Sequence, residues 1–293
     1  MPAAAPESPA TTAMPIVQQM AFCTTRILVE TESEAVGVGT GFFFAFTIPN
    51  DEKFIATVIT NRHVVKDATR LLFQITRADA DQRPMVGNVT TVIVEDVAGT
   101  CVNHPDPEVD LCALPIGHVI AQAEAQGRKL FIQYLAKSLI PSPDQNLTVL
   151  QEVVMVGYPT GLYDTVNHLP IFRKGIAATA PLVDYCGRKE FMIDAAVFQG
   201  SSGSPVFLWG PGIIEDPNTI LSGGVRVALI GILRALPVSE VKGKIKIIPV
   251  PTGLEAVPVT QMPINLGLVI QAKRLLEFEP IFDEMLKRPT PSP

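Results

Sequence analysis

The sequence predicts an all-β protein, a barrel or a sandwich, and three observations carry that expectation. Short apolar runs recur along the whole chain, each closed by a turn signal, with no alternation of strand and helix patterns. The 26 prolines and 21 glycines are scattered rather than clustered, which suits many short strands joined by turns. Hydrophobic residues make up 47% of the 293 positions and charged ones only 18%, ample for buried cores in one large β domain or two smaller ones.

The elements follow in order. Residues 1–18 are poor in bulky side chains at the start, Pro, Ala, Ser and Thr prevailing, and predict a disordered tail. The stretch Met1–Pro15 shows neither a basic n-region nor an apolar h-region, so no secretory leader is expected and cytoplasmic residence is the default. Strands are expected at Ala21–Glu30, Val36–Thr47, Phe54–Thr60, Leu71–Thr76 and Thr90–Asp96. The polar, Pro-bearing loop Asn103–Val109 then delivers Asp110 to the start of another strand-like run. Ile120–Ser138, rich in Ala, Gln, Glu, Lys and Leu, is the most helix-like interior stretch and reads as a connector, followed by the loop Pro141–Gln145. Further strands are expected at Val153–Val156, Gly175–Ala180, Phe191–Ala196, Pro205–Trp209, Arg226–Leu233 and Leu266–Ile270, with an inserted hairpin arm at Lys242–Val250. Gln271–Lys287 reads as an amphipathic helix with Leu275, Leu276, Phe278, Ile281, Phe282 and Met285 on its apolar face, and Pro280 predicts a break near Glu279.

Composition narrows the function. The net charge is −6 with no basic stripe, which argues against nucleic acid as a partner. No apolar run is long enough to span a bilayer, so no membrane association is expected. His104, His118 and His168 lack metal-ligand spacing, and neither a metal nor an organic cofactor is expected. Cys23, Cys101, Cys112 and Cys186 form no CxxC pair and read as mostly reduced, buried thiols of a reducing compartment.

The stretch Gln199-Gly200-Ser201-Ser202-Gly203-Ser204-Pro205-Val206-Phe207 carries the chemistry. Gly200 and Gly203 permit a tight turn that presents one hydroxyl, and Pro205 opens a strand where a missing amide is tolerated. A serine so held is a nucleophile if a base reaches it, and the amides of Gly200 and Ser202 can converge on a developing oxyanion. The base is sought in Thr60-Asn61-Arg62-His63-Val64-Val65, at the end of an apolar run. Its orienting acid is sought in Val109-Asp110-Leu111-Cys112-Ala113-Leu114. Asp106 competes with Asp110, which is preferred because apolar alternation starts right after it. The order His, Asp, Ser is one of the known triad orders.

With T-N-R-H-V-V, D-L-C-A-L and D-A-A-V-F-Q-G-S-S-G-S-P-V in that order, the chain resembles the trypsin-like (chymotrypsin-fold) serine peptidases, and among them the bacterial Deg/HtrA protease domains, without a PDZ domain. Weaker matches are G-T-G-F-F-F, V-G-Y-P-T-G-L and N-L-G-L-V-I, so the likeness runs over roughly residues 20–285. It implies two antiparallel six-stranded-type β-barrels with a C-terminal helix. The protease domain would cover residues 19–288: a first barrel at about 19–119, a connector at about 120–150, a second barrel at about 151–270 and the helix at about 271–288. The resemblance implies a serine endopeptidase acting through an acyl-enzyme. Ser202 would be the nucleophile, His63 the base and Asp110 its orienting acid, with the Gly200 and Ser202 amides as oxyanion hole.

The departures are informative. Ser201 stands where animal trypsins carry the aspartate that pairs with a newly cut amino terminus, so the usual zymogen switch is missing. By carry-over, Ala196 lies at the base of the specificity pocket, with Leu233, Arg234, Ala235 and Leu236 along its edge and Gly267 leaving the other wall bare. The expected P1 residues are apolar and small to medium. Substrates would be proteins or peptides, and a regulatory protein partner stays open. Two other functions stay open beside the free-standing peptidase: a catalytically silent protease fold used for binding, and a peptidase active only within a stress or defence assembly.

Overall fold

A computed structural model of the chain describes residues 14–33, 36–48, 54–145, 147–211, 220–222, 225–235, 238–242, 259–263 and 265–287. Two sheets, antiparallel but for one short pairing, organise them. The first contains β1 (Thr24–Thr31), β2 (Val36–Thr47), β3 (Phe54–Thr60), β4 (Ala68–Ala78), β5 (Pro84–Val94), β6 (Val102–Asn103), β7 (Cys112–Pro115) and β8 (Leu135–Ala136). Its order is β5-β4-β1-β2-β3-β7-β6, and β8 adds a short parallel pairing to β2. The second contains β9 (Glu152–Gly157), β10 (Ile171–Ala177), β11 (Glu190–Asp194), β12 (Pro205–Pro211), β13 (Ile220–Ser222) and β14 (Val225–Ala235). After a separate ribbon of β15 (Val238–Lys242) and β16 (Val259–Pro263), β17 (Leu266–Gln271) completes it.

The second sheet closes. Its ladder runs β12-β9-β10-β11-β17-β14, and β14 pairs back onto β12, giving a six-stranded barrel with β13 outside β14. The first sheet wraps its own core, where Ile27, Phe43, Val58, Leu71, Phe73 and Val92 meet, without a closing ladder among the described strands.

β2 shows how the sequence joins the two halves. Side chains alternate across a strand. Phe43 therefore enters the first core, while Phe42, Phe44 and Phe46 point the other way. There they pack with Phe207 and Leu229 of the second barrel and with Phe278 and Phe282 near the C-terminus. The Phe46 and Phe282 rings lie 4.9 Å apart. Each such fully buried phenylalanine stabilises the fold by about 1.5–3 kcal/mol, so this seam fixes one sheet against the other.

The helices are shorter than the sequence predicts. Residues 16–18, expected within the tail, instead open α1 (Ile16–Met20), because Met20 buries itself in the seam and Ile16 packs against the same cluster. The part of the tail at residues 1–13 lies outside the described residues. α2 (Arg62–Val65) and α3 (Val97–Thr100) are single turns. Among the described residues of the connector, α4 (Gly117–Ala125) is joined only by a 3₁₀ turn at Lys137–Leu139; between them the chain turns at Gly127 with φ +68° and pairs again as β8. The expected terminal helix divides as Pro280 requires. Ala272–Phe278 winds as 3₁₀ turns, and α5 (Glu279–Lys287) begins at Glu279. Pro280 thus sits in a first turn, where its missing N–H costs nothing. Of the expected arm, residues 243–250 lie outside the described residues; the paired strands are β15 and β16. All four cysteines are free, with Cys186 exposed rather than buried. No helix among the described residues is long and apolar enough to cross a membrane.

Candidate active site

β3 ends at Thr60, and the chain turns at once into α2, which carries His63 at the mouth of the cleft between the sheets. Asn61, fully buried, donates from Nδ2 to the Asp110 carbonyl at 2.9 Å and so ties this turn to the loop before β7. The Asp110 carboxylate then meets His63 twice. Oδ1 accepts from the His63 backbone N–H at 2.9 Å, and Oδ2 lies 2.5 Å from the ring Nδ1. With Nδ1 as donor to Asp110, the other ring nitrogen is left with a free lone pair, the state a general base requires. Burial raises the affinity of the Asp110 carboxyl for its proton. The hydrogen bonds and charge of His63, helped by the Arg234 cation, outweigh that effect and hold Asp110 below the usual carboxylate range.

Asp106 serves elsewhere. Its Oδ2 lies 2.6 Å from Arg274 Nη2, and its Oδ1 accepts from the Glu108 amide within its own loop. His104 is buried behind that loop; its Nδ1 accepts from the Asp106 amide at 3.1 Å and its Nε2 donates to the Arg274 carbonyl at 3.0 Å. Among the described residues no cluster of His, Cys, Asp or Glu suits a metal ion.

The loop before β12 is held by both halves of the molecule. Gly200 and Gly203 have φ of +81° and +88°, and a Cβ on Gly203 would come within 2.0 Å of the Thr40 carbonyl oxygen. Thr40, fully buried in β2, holds the loop at two points. Its N–H donates to the Ser202 carbonyl at 2.9 Å and its Oγ1 donates to the Gly200 carbonyl at 2.9 Å. Oγ1 also accepts from the Tyr158 amide at 3.1 Å. From β14, Leu233 accepts from the Gly203 amide and donates to the Ser204 carbonyl.

These bonds set the direction of the neighbouring amides. A trans peptide points its C=O and N–H opposite ways. The Gln199 carbonyl accepts from Thr160 N–H at 2.5 Å, so the Gly200 N–H points away from that contact. The Ser201 carbonyl accepts from the Ser204 amide at 3.0 Å, so the Ser202 N–H points away from Ser204. Neither amide donates to an acceptor among the described residues.

His63, Asp110, Ser202 and Arg234 line one cleft, together with Arg62 and Glu108. The Ser202 hydroxyl donates to the Arg234 carbonyl at 3.2 Å, and no hydrogen bond joins it to His63. The geometry thus brings the imidazole onto Asp110 and leaves Ser202 turned to β14.

The expected pocket residues divide. Ala196 is half-buried between the buried Ala195 and Val197. Gly267 does not leave a wall bare: a Cβ there would meet Leu233 and Val197 at 2.9 Å and Ile193 at 3.1 Å. The glycine makes room for core side chains. Leu233, expected along the edge, is itself buried in the barrel core. Ala235 ends β14, and Leu236 lies outside the described residues. Arg234 holds Glu190 at 2.7 Å and approaches Asp110 at 3.7 Å. Thr40, Asn61 and Glu190 also shape the site without having been singled out from the sequence. Two of them left a signal there: Asn61 stands in T-N-R-H-V-V beside His63, and Thr40 in the G-T-G of the weakly matching G-T-G-F-F-F.

A closed antiparallel barrel docked on a second curled sheet, with a histidine–carboxylate pair in the cleft between them, defines a chymotrypsin-like fold. The profile of the trypsin-like peptidase domain matches residues 39–209. That is more than half of the chain, and the chain belongs to that family. The family is one of trypsin-like peptidase domains. The chain is also similar to the solved structure of the HtrA-type protease AlgW with tripeptide, at 18% identity and a TM-score of 0.51. That match covers 92% of this chain and 62% of the other, so the chain spans about three-fifths of its length. A serine endoprotease from Yersinia pestis matches at 14% identity and TM-score 0.47, over 92% of this chain and 65% of that one. A protease from M. tuberculosis in its active form matches at 16% and 0.47, over 98% and 90%. No curated protein matches the chain.

Proposed function

We propose that the chain is a serine endopeptidase that cleaves through an acyl-enzyme, with Ser202 as nucleophile, His63 as base and Asp110 as orienting acid. The observation that carries this reading is the two-point grip of Asp110 on His63 in the cleft that also holds Ser202. His63 takes the Ser202 proton as the hydroxyl attacks the scissile carbonyl, and later hands it to the leaving amine. Asp110 fixes the tautomer and stabilises the imidazolium. The Gly200 and Ser202 amides, unengaged within the described residues, receive the oxyanion.

The resting hydroxyl bonds to the Arg234 carbonyl, the acceptor that an extended substrate pairing with the end of β14 would claim. Substrate then displaces the hydroxyl toward His63, which favours a second reading of the same site: a peptidase that becomes competent on engagement with substrate or a partner. Ala196, half-buried and uncharged at the position carried over as the pocket base, supports cleavage after small-to-medium apolar residues.

An active-site-directed fluorophosphonate tests the assignment. Wild type is expected to label at Ser202, and Ser202→Ala to remain unlabelled. A chain that stays unlabelled even with substrate peptide or partner protein present is a silent fold, and the peptidase reading fails.

A further inference from the structure

We propose that the Arg234–Glu190 ion pair is a charge clamp on Asp110 that sets the lowest pH at which the cleft's histidine serves as a base. The proposal rests on the triad reading above and assigns Arg234 and Glu190 as positioning residues. Arg234 was expected only to line a pocket edge. Its guanidinium instead faces two carboxylates from different halves of the molecule. Nη1 lies 2.7 Å from Oε1 of Glu190, on β11 of the barrel. Nε lies 3.7 Å from Oδ2 of Asp110, in the loop before β7. Glu190 is only 6% exposed, so its charge is not left to solvent.

The oxygen that Arg234 approaches is the one His63 uses. Asp110 Oδ2 is 2.5 Å from His63 Nδ1. When His63 takes up a proton, imidazolium and guanidinium share this oxygen and stand at most about 6 Å apart. Like charges that close disfavour the second charge, and Glu190 offsets part of that repulsion by holding Arg234 from its other end. The balance between Arg234 and Glu190 therefore biases whether the ring accepts a proton from water, which disables it, or waits for the one on Ser202.

On the far side of His63, Lys66, Asp67 and the thiol of Cys101 line a hollow with His63 and Asp110. α2 contributes Arg62, whose Nη2 is tied to the Pro107 carbonyl. The Asp110 loop contributes Glu108, and β7 contributes the buried Cys112. Arg188 and Lys189 flank Glu190, with Asp106 and Arg274 across a hollow from it. All of them stay constant across the variants below.

The signs separate a clamp from a merely structural pair. Glu190→Gln leaves the guanidinium unbalanced, so the acidic limb of activity moves to lower pH. Arg234→Gln removes the cation and leaves an extra carboxylate, so the limb moves to higher pH. Each shift is expected to be about one pH unit, a tenfold change in rate at a fixed pH on the limb. Arg234→Lys keeps the charge and stays near wild type, and the double variant Arg234→Gln/Glu190→Gln moves less than either single one.

The experiment follows the rate of fluorophosphonate labelling at Ser202 against pH for these full-length chains, with the His63 ring signals followed by NMR over the same range. Opposite shifts in the two single variants support the clamp. Shifts in the same direction, or below about a third of a unit, overturn it. Should wild type fail to label, the peptidase reading falls, while the His63 ring titration still decides the clamp. If Arg234→Gln does not fold because Glu190 is left buried and unpaired, Glu190→Gln against the double variant decides it.

Discussion

Thr40→Val removes one oxygen and keeps the side chain's shape. The lost Oγ1 donates to the Gly200 carbonyl at 2.9 Å and accepts from the Tyr158 amide at 3.1 Å, at a position with no solvent exposure. The valine methyl fills the same volume, so no cavity forms. What remains is a buried carbonyl and a buried amide without partners, each costing about 1–3 kcal/mol. Stability should fall by about 2–6 kcal/mol, read as a lower urea midpoint with an unchanged slope. The Gly200 carbonyl also fixes the peptide leading into Ser201, so the freed loop no longer holds the spacing between the Gly200 and Ser202 amides, although Thr160 still grips the Gln199 carbonyl. Losing one oxyanion donor costs about a hundredfold or more in rate, and fluorophosphonate labelling of Ser202 should slow by that order. Thr40→Ser retains the oxygen and should keep both properties near wild type. Labelling of Thr40→Val within about twofold of wild type would show that the loop is set by other contacts, and equal losses in Thr40→Ser would point to the methyl group instead.

Ser202→Ala should lower kcat by about a million-fold if the triad acts as a unit, with little change in the urea midpoint; turnover that persists in the variant ends the assignment. Asp110→Asn should cost about ten-thousandfold in kcat, whereas Asp106→Asn, which touches only Arg274 and its own loop, should leave turnover within about tenfold of wild type; the reverse ranking would exchange their roles. Burial holds His104 below the usual imidazole range, against the hydrogen bond to the Arg274 carbonyl that raises it. The unfolded chain therefore takes up this proton first, at about pH 6.5. The contribution of His104 is full above that pH and is lost as pH falls through the folded value. Denaturation at pH 7.5 and 5.5 should show a smaller loss for His104→Gln than for wild type, and parallel losses would refute it. In a peptide library, cleavage should be graded among small-to-medium apolar P1 residues, about 1–3 kcal/mol per methylene, and dominant cleavage after Lys or Arg would show that an acid reaches the pocket.

The strands were legible where apolar runs meet firm punctuation. Val36–Thr47 and Phe54–Thr60 have the same limits in the structure as in the sequence, because Pro49 closes the first run and Lys53 and Asn61 bracket the second. The histidine–aspartate contact was legible for a different reason: both residues sit at the ends of strands that pair directly, Thr60 opposite Cys112. Contacts that depend on a turn of the whole sheet left no such trace. Glu190 and Arg234 read as an isolated acid and an isolated base until the barrel closes and brings β11 and β14 to either side of β17. Gly267 was misread because a missing side chain means either open space or a crowded neighbour, and only the positions of Leu233 and Val197 decide which. The connector misled through propensity: Ala, Gln, Glu and Lys favour helix, yet past Gly127 the chain gains more by packing Phe131 against Phe22 and pairing Leu135 with β2.

Thr40 and the loop it secures are 160 residues apart in sequence. On the ribosome the threonine is made long before the serine, and neither half can arrange the site alone. If Ser202 is the nucleophile proposed above, its loop takes shape only where the barrel is docked on the first sheet. A half-folded chain would then carry the serine without the site, and a hinge that parts the two sheets would switch the site off without any inhibitor.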